Sequence, residues 1–162
     1  MREKIKTKED LNSIIRDLKK TGKRIVFTNG CFDLLHLGHI RYLEKAKTLG
    51  DILVVGVNSD RSVRNLKGSK RPILPERERA EILSSLGCVD YITIFDELTP
   101  LELISSLEPH ILVKGGDWIK ENIVGKEVVE RSGGEVSILP FEEGSSTSNL
   151  IETILKRYEK RN

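Results

Sequence analysis

A chain of 162 residues fits a single domain over 1–162, long enough to bury roughly 70% of its unfolded surface. Its 27 basic and 25 acidic residues leave a net charge of only +2, so no long-range field recruits nucleic acid or an anionic membrane, and any anionic ligand must be held locally. The longest apolar runs are too short to span a bilayer, the N-terminus MREKIKTKED lacks the apolar centre of a signal peptide, and Cys31 and Cys88 are too few for a disulfide scaffold, so a cytoplasmic protein is expected.

Leu11, Ile14, Ile15 and Leu18 fall at helical spacing and predict an opening amphipathic helix, within 1–22, that packs on the domain. RIVFTN, ending at Asn29, reads as a strand stopped by Gly30. A helix follows from near Leu37, with Gly50 as its expected C-cap. DILVVGV is apolar along its length, as in a strand covered on both faces. Helices from Glu76 to Leu86, Pro100 to Leu107 and Val124 to Arg131 precede the strand-like runs DYITIF, HILVKG and EVSILP. Leu150, Ile151, Ile154, Leu155 and Tyr158 form the stripe of a closing helix. Five strands separated by helices predict a Rossmann-like, doubly wound α/β fold with a parallel sheet and helices on both faces.

Such sheets bind ligands beyond the carboxyl ends of their strands, which directs attention to TNGCFD, NSDRSV, FDELT, VKGGDW and FEEGSSTS. His36 and His39 share a face of a helix's first turn, where unpaired N–H groups favour anions, and Gly38 lets a phosphate chain approach the backbone. The pair therefore reads as a phosphate clamp. A turn cap with a packed ring is the plain alternative, and a zinc site with Cys31 is a third, although its spacing is not that of a finger and a fourth ligand is not obvious. A helix N-terminus favours the neutral imidazole and bound phosphate the charged one.

GCFDLLHLGH, Gly30 to His39, resembles the signature of the cytidylyltransferase-like nucleotidyltransferase superfamily, whose mark is HxGH after the first strand. KGSKRPILPERERAEIL, VKGGDW and LPFEEGSSTSNLIETI then resemble, in order, the adenylyltransferase domain of ADP-heptose synthase, so that the likeness runs from Arg24 to Ile154. It implies transfer of AMP from ATP to a heptose 1-phosphate, with Mg²⁺ entering on ATP and no metal-ligand set in the protein. His36, His39 and Lys67 would be catalytic. Asn29, Gly30, Cys31, Phe32, Gly38, Lys114, Gly115, Gly116, Ser145, Ser146 and Thr147 would bind the nucleotide, and Asp33, Arg71, Asp117 and Trp118 the acceptor.

Several of these residues carry a second reading. Asp33 reads equally as an acceptor-side or Mg²⁺-linked carboxylate or as a turn former, and Trp118 as a pocket wall or a packing anchor. Lys70 and Arg79 are further candidates for a cation that closes over the phosphates, against the ordinary reading of a solvated charged face. Glycerol phosphate cytidylyltransferases share HxGH but carry RTxGIST where this chain has FEEGSSTS; Glu142 and Glu143 in that place favour ATP over CTP. A CTP-using enzyme and a non-catalytic nucleotide-binding module remain the alternatives. The family's domain is often fused to a sugar kinase, and none lies within these residues, so a separate upstream sugar kinase is expected, along with a homodimer and no nucleic-acid or membrane partner.

Overall fold

In the computed structural model, which describes residues 2–116, 119–140 and 146–158, the apolar runs form one parallel sheet. Its strands are β1 (Ile25–Gly30), β2 (Ile52–Asn58), β3 (Tyr91–Phe95), β4 (Ile111–Gly115) and β5 (Glu135–Leu139), in the spatial order β3-β2-β1-β4-β5. The chain runs outward from β1 to β3 and then returns to the other side of β1, so the topological switch lies between β1 and β4. β1 pairs with β2 over six residues, from Ile25↔Ile52 to Gly30↔Val57. With β4 it shares only Val26↔Ile111 and Phe27↔Leu112.

Alternate strand residues feed two cores, as expected when helices cover both faces of a sheet. On one face Val26, Leu53, Val55 and Val113 pack with Leu43 and Ala46 of α2 (Leu37–Lys47) and with Ala80 and Leu83 of α4 (Glu76–Ser84). On the other, Phe27, Val54 and Leu112 meet Leu11 and Ile15 of α1 (Lys8–Lys20), Leu103 and Ile104 of α5 (Leu101–Leu107) and Val129 of α6 (Lys126–Arg131). Thr7 caps α1 by accepting the Asp10 N–H at 3.1 Å, and Ile5 just before it bridges Ile92 at the sheet edge.

One helix has no counterpart among the expected elements, and two local expectations need correction. The added helix is α3 (Asp60–Lys67), which starts within NSDRSV, capped by Ser59, whose Oγ accepts the Ser62 N–H at 3.1 Å. Gly50 does not cap α2, which ends at Thr48 in right-handed conformation. A side chain at Gly50 would instead meet the Arg24 carbonyl at 2.8 Å and Val26 Cγ2 at 2.7 Å, so close approach to β1 is what requires glycine. The closing helix α7 (Thr147–Tyr158) forms, but it buries no residue, and Leu150, Ile154, Leu155 and Tyr158 stay exposed. No helix among the described residues is long and apolar enough to cross a membrane.

Candidate nucleotide site at the carboxyl edge of the sheet

A cavity of about 760 Å³ opens over the carboxyl ends of β1 and β4, at the switch point. It gathers Asn29, Gly30, Cys31, Phe32, Asp33, His36, Gly38, His39, Lys67, Arg71, Lys114, Gly115, Ser146 and Thr147 from four separate stretches of chain. Asp117, Trp118, Glu142, Glu143 and Ser145 lie outside the described residues.

His36 is the N-cap residue of α2, in extended conformation, yet its side chain makes no capping bond. Its ring stacks on that of His39 with centroids 3.8 Å apart, and Phe32 meets His39 edge-on at 5.4 Å. Both Nδ1 atoms are buried without a hydrogen-bond partner among the described residues. Burial pulls the His36 pKa below its usual value. For His39, burial, with the charges of His36 and Lys67 beside it, brings the pKa down to about 4. The rings are thus held neutral at pH 7, each with one N–H to donate. Neither side chain serves as a turn cap.

Lys114 leaves β4 just past its short pairing with β1 and donates to Asn29 Oδ1 across the gap. Burial lowers its pKa to about 8. Behind it, Tyr42 of α2 donates to the Val113 carbonyl at 3.3 Å and lies 2.7 Å from Thr28 Oγ1, tying helix to sheet. At the opposite rim Ser146 caps α7, its Oγ accepting the Asn149 N–H at 3.0 Å, and the Thr147 hydroxyl reaches the Leu34 carbonyl at 3.4 Å. The start of α7 is therefore tied to the loop between β1 and α2, and both contribute to the cavity lining.

Three candidates behave otherwise than expected. The buried Asp33 carboxylate accepts Arg71 Nε at 2.5 Å and the Ile73 and Leu74 N–H groups at 2.7 and 3.0 Å. It clamps the 71–74 segment and is neither a free acceptor-side group nor a local turn former. The Gly116 N–H is spent on the Leu139 carbonyl at 2.9 Å, so that N–H is not free for a nucleotide. Arg79 is only 1% exposed and lies outside the cavity, bonded to backbone carbonyls. Conversely, Tyr42, Asn58, Leu98, Thr99 and Ile123 line the cavity without having been singled out. Asn58, Leu98 and Thr99 lie within segments at strand ends, NSDRSV and FDELT; Tyr42 and Ile123 lie outside them and gave no signal.

Among the described residues, no group of three or more His, Cys, Asp or Glu side chains could hold a metal ion, and Cys31 with the two histidines makes none. Asp33 is the sole carboxylate among the described cavity residues, and its oxygens are taken.

The switch-point cavity sets imidazoles at a helix start and cations around its wall, chemistry suited to a polyphosphate, and the comparisons with known proteins place the chain in a family. The cytidylyltransferase-like family model matches residues 27–152, and the chain belongs to that family. Bifunctional protein HldE of Pelobacter propionicus is 60% identical over 155 residues, covering 96% of this chain and 32% of that protein. The HldE of Geobacter metallireducens is 59% identical with the same coverage. The chain spans about a third of the length of these curated relatives. Among solved structures, the lipopolysaccharide core biosynthesis protein from Thermoplasma volcanium superposes with a TM-score of 0.63 at 32% identity, over 76% of this chain and 100% of that one. Pantoate-beta-alanine ligase from Francisella tularensis shares the fold, with a TM-score of 0.67 at 18% identity over 96% of this chain and 77% of that one.

Proposed function

We propose that this domain, residues 1–162, moves AMP from ATP to a heptose 1-phosphate, giving ADP-heptose and pyrophosphate. The observation that carries the reading is the stacked His36–His39 pair, its Nδ1 atoms unpartnered among the described residues, at the start of α2 within a cavity ringed by Lys67, Arg71 and Lys114. The resemblance of the four sequence blocks to the adenylyltransferase domain of ADP-heptose synthase supports the choice of acceptor, and the switch-point cavity supports a nucleotide as the other substrate.

In this reading a phosphate oxygen of the sugar attacks the α-phosphorus of ATP as the bond to the β-phosphate oxygen breaks. The nucleophile is already anionic, so no general base is needed; alignment and charge neutralisation are the chemistry. His36 and His39 donate N–H groups to the triphosphate, Lys67 approaches it from the end of α3, and the N–H groups of Cys31 and Phe32 add their dipoles. Ser146, Thr147 and the first turn of α7 hold the nucleotide from the far side. Lys114 and Gly115 meet it at the switch point, while Arg71, Asp117 and Trp118 address the acceptor. Mg²⁺, which keeps most of its waters, arrives on the triphosphate. A cytoplasmic setting, a homodimer and a separate kinase supplying the sugar phosphate belong to the same proposal.

Pyrophosphate release, measured with ATP and with CTP against a panel of sugar phosphates, tests it. ATP with a heptose 1-phosphate is expected to turn over. Turnover with CTP but not ATP removes the adenylyl assignment, and triphosphate binding without pyrophosphate from any acceptor removes the enzymatic one.

A further inference from the structure

α4 contributes nothing to the cavity lining, yet its Arg79 ties together four segments on one side of it. The guanidinium donates from Nη1 to the Cys31 carbonyl in the histidine-bearing turn. From Nη2 it donates to the Asn58 carbonyl at the tip of β2, at 2.8 Å, and to Asp60 Oδ1 at the start of α3, at 2.9 Å. From Nε it donates to the Leu74 carbonyl at 3.0 Å. Glu76, one turn earlier, accepts the Asp60 N–H at 2.7 Å. Asp33 completes the loop by binding Ile73 and Leu74 from the other side.

Of five guanidinium donors at least three are used, in directions that only a planar fork supplies. The turn needs such a brace. Phe32 sits at φ 45°, a left-handed conformation costly for a residue with a side chain, and its ring is the edge that meets His39. Its other neighbour is Gly30, where an added Cβ would come within 3.0 Å of the ring. Holding the Cys31 carbonyl therefore fixes the residue that fixes the His39 ring.

We propose that Arg79 is a positioning residue: without touching substrate, it locks the β1–α2 turn, the tip of β2, the start of α3 and the 71–74 segment into one rigid wall, and so sets the angle at which the histidines meet the nucleotide. This rests on the nucleotidyl-transfer reading for its kinetic consequence, but not for its structural one.

The test uses Arg79→Lys, which keeps the charge but offers one nitrogen in place of three. Turnover is expected to fall at least about tenfold while the KM for ATP stays within about threefold, because a misplaced turn harms alignment more than binding. The imidazole nitrogen signals of His36 and His39 in the ligand-free protein are expected to shift or broaden. Signals and turnover like those of the parent in a folded Arg79→Lys protein overturn the proposal, as does a loss confined to KM. Should that variant not fold, hydrogen exchange on the unaltered protein decides: the amides of Asp60, Ile73 and Leu74 are expected to open together at one protection level. Protection differing by more than about tenfold among them means the segments move independently and refutes the lock. If the unaltered protein transfers no nucleotide at all, the functional reading fails, while the imidazole signals and the exchange data still judge Arg79.

Discussion

Replacing Asp33 by Asn tests whether this carboxylate is a structural clamp. Its side chain is fully buried and its ion pair with Arg71 spans 2.5 Å, with the Arg71 side chain 14% exposed. Asn keeps one oxygen for the Ile73 and Leu74 N–H groups but turns an NH₂ donor toward the Arg71 donor. Breaking one side of a buried pair costs about 3–5 kcal/mol. Arg71 can swing toward solvent and the amide bonds partly survive, so about 3 kcal/mol is expected, a large share of the roughly 5–15 kcal/mol that holds a domain together. Equilibrium urea unfolding of Asp33→Asn, Arg71→Met and the double variant measures it. The two changes should be non-additive by about 1–2 kcal/mol, since the double variant leaves no donors opposed. A loss under about 1 kcal/mol with additive effects would refute the clamp and return Asp33 to the pool of free site carboxylates.

His36→Ala and His39→Ala are expected to fold normally and to lower turnover by more than about a hundredfold, the scale of losing a group that stabilises developing charge; loss of folding in both, followed by circular dichroism, would favour a packing role. The unfolded chain takes up a proton on His39 near pH 6.5 and the folded one only near pH 4. Stability contributed by the neutral ring is therefore whole above pH 6.5 and declines as pH falls toward 4, by about 1–2 kcal/mol after allowing for solvent screening. His39→Asn should flatten that part of the pH profile of urea unfolding, and an unchanged profile would contradict the assignment. Lys114→Met removes a buried ammonium, so stability is expected within about 1 kcal/mol of the parent, while calorimetry should show triphosphate affinity about tenfold weaker; undiminished binding would take Lys114 out of the site.

β2 was legible because burial on both faces leaves an uninterrupted apolar run, and the histidine turn because HxGH packs several signals into four positions. α3 was not, since it buries Ser62 and Val63 while Leu66 faces out, leaving no apolar stripe to read. Asp33 and Arg79 were misjudged for another reason. Asp33 finds partners 38 to 41 residues away, and the carbonyls that hold Arg79 converge only after the sheet tips meet. A charged side chain in a linear sequence looks solvated until tertiary structure closes over it. α7 shows the opposite failure: periodicity reports that a helix has an apolar side, not that anything covers it.

The meagre pairing between β1 and β4 makes the site sensitive to arithmetic. Side chains on a strand alternate, so Leu112 and Lys114 share one parity and Val113 the other. Inserting a single residue ahead of Leu112 would send valine toward Asn29 and drive the ammonium into the aliphatic layer beneath α2. Two rungs of ladder thus decide whether a cation or a methyl group greets the nucleotide.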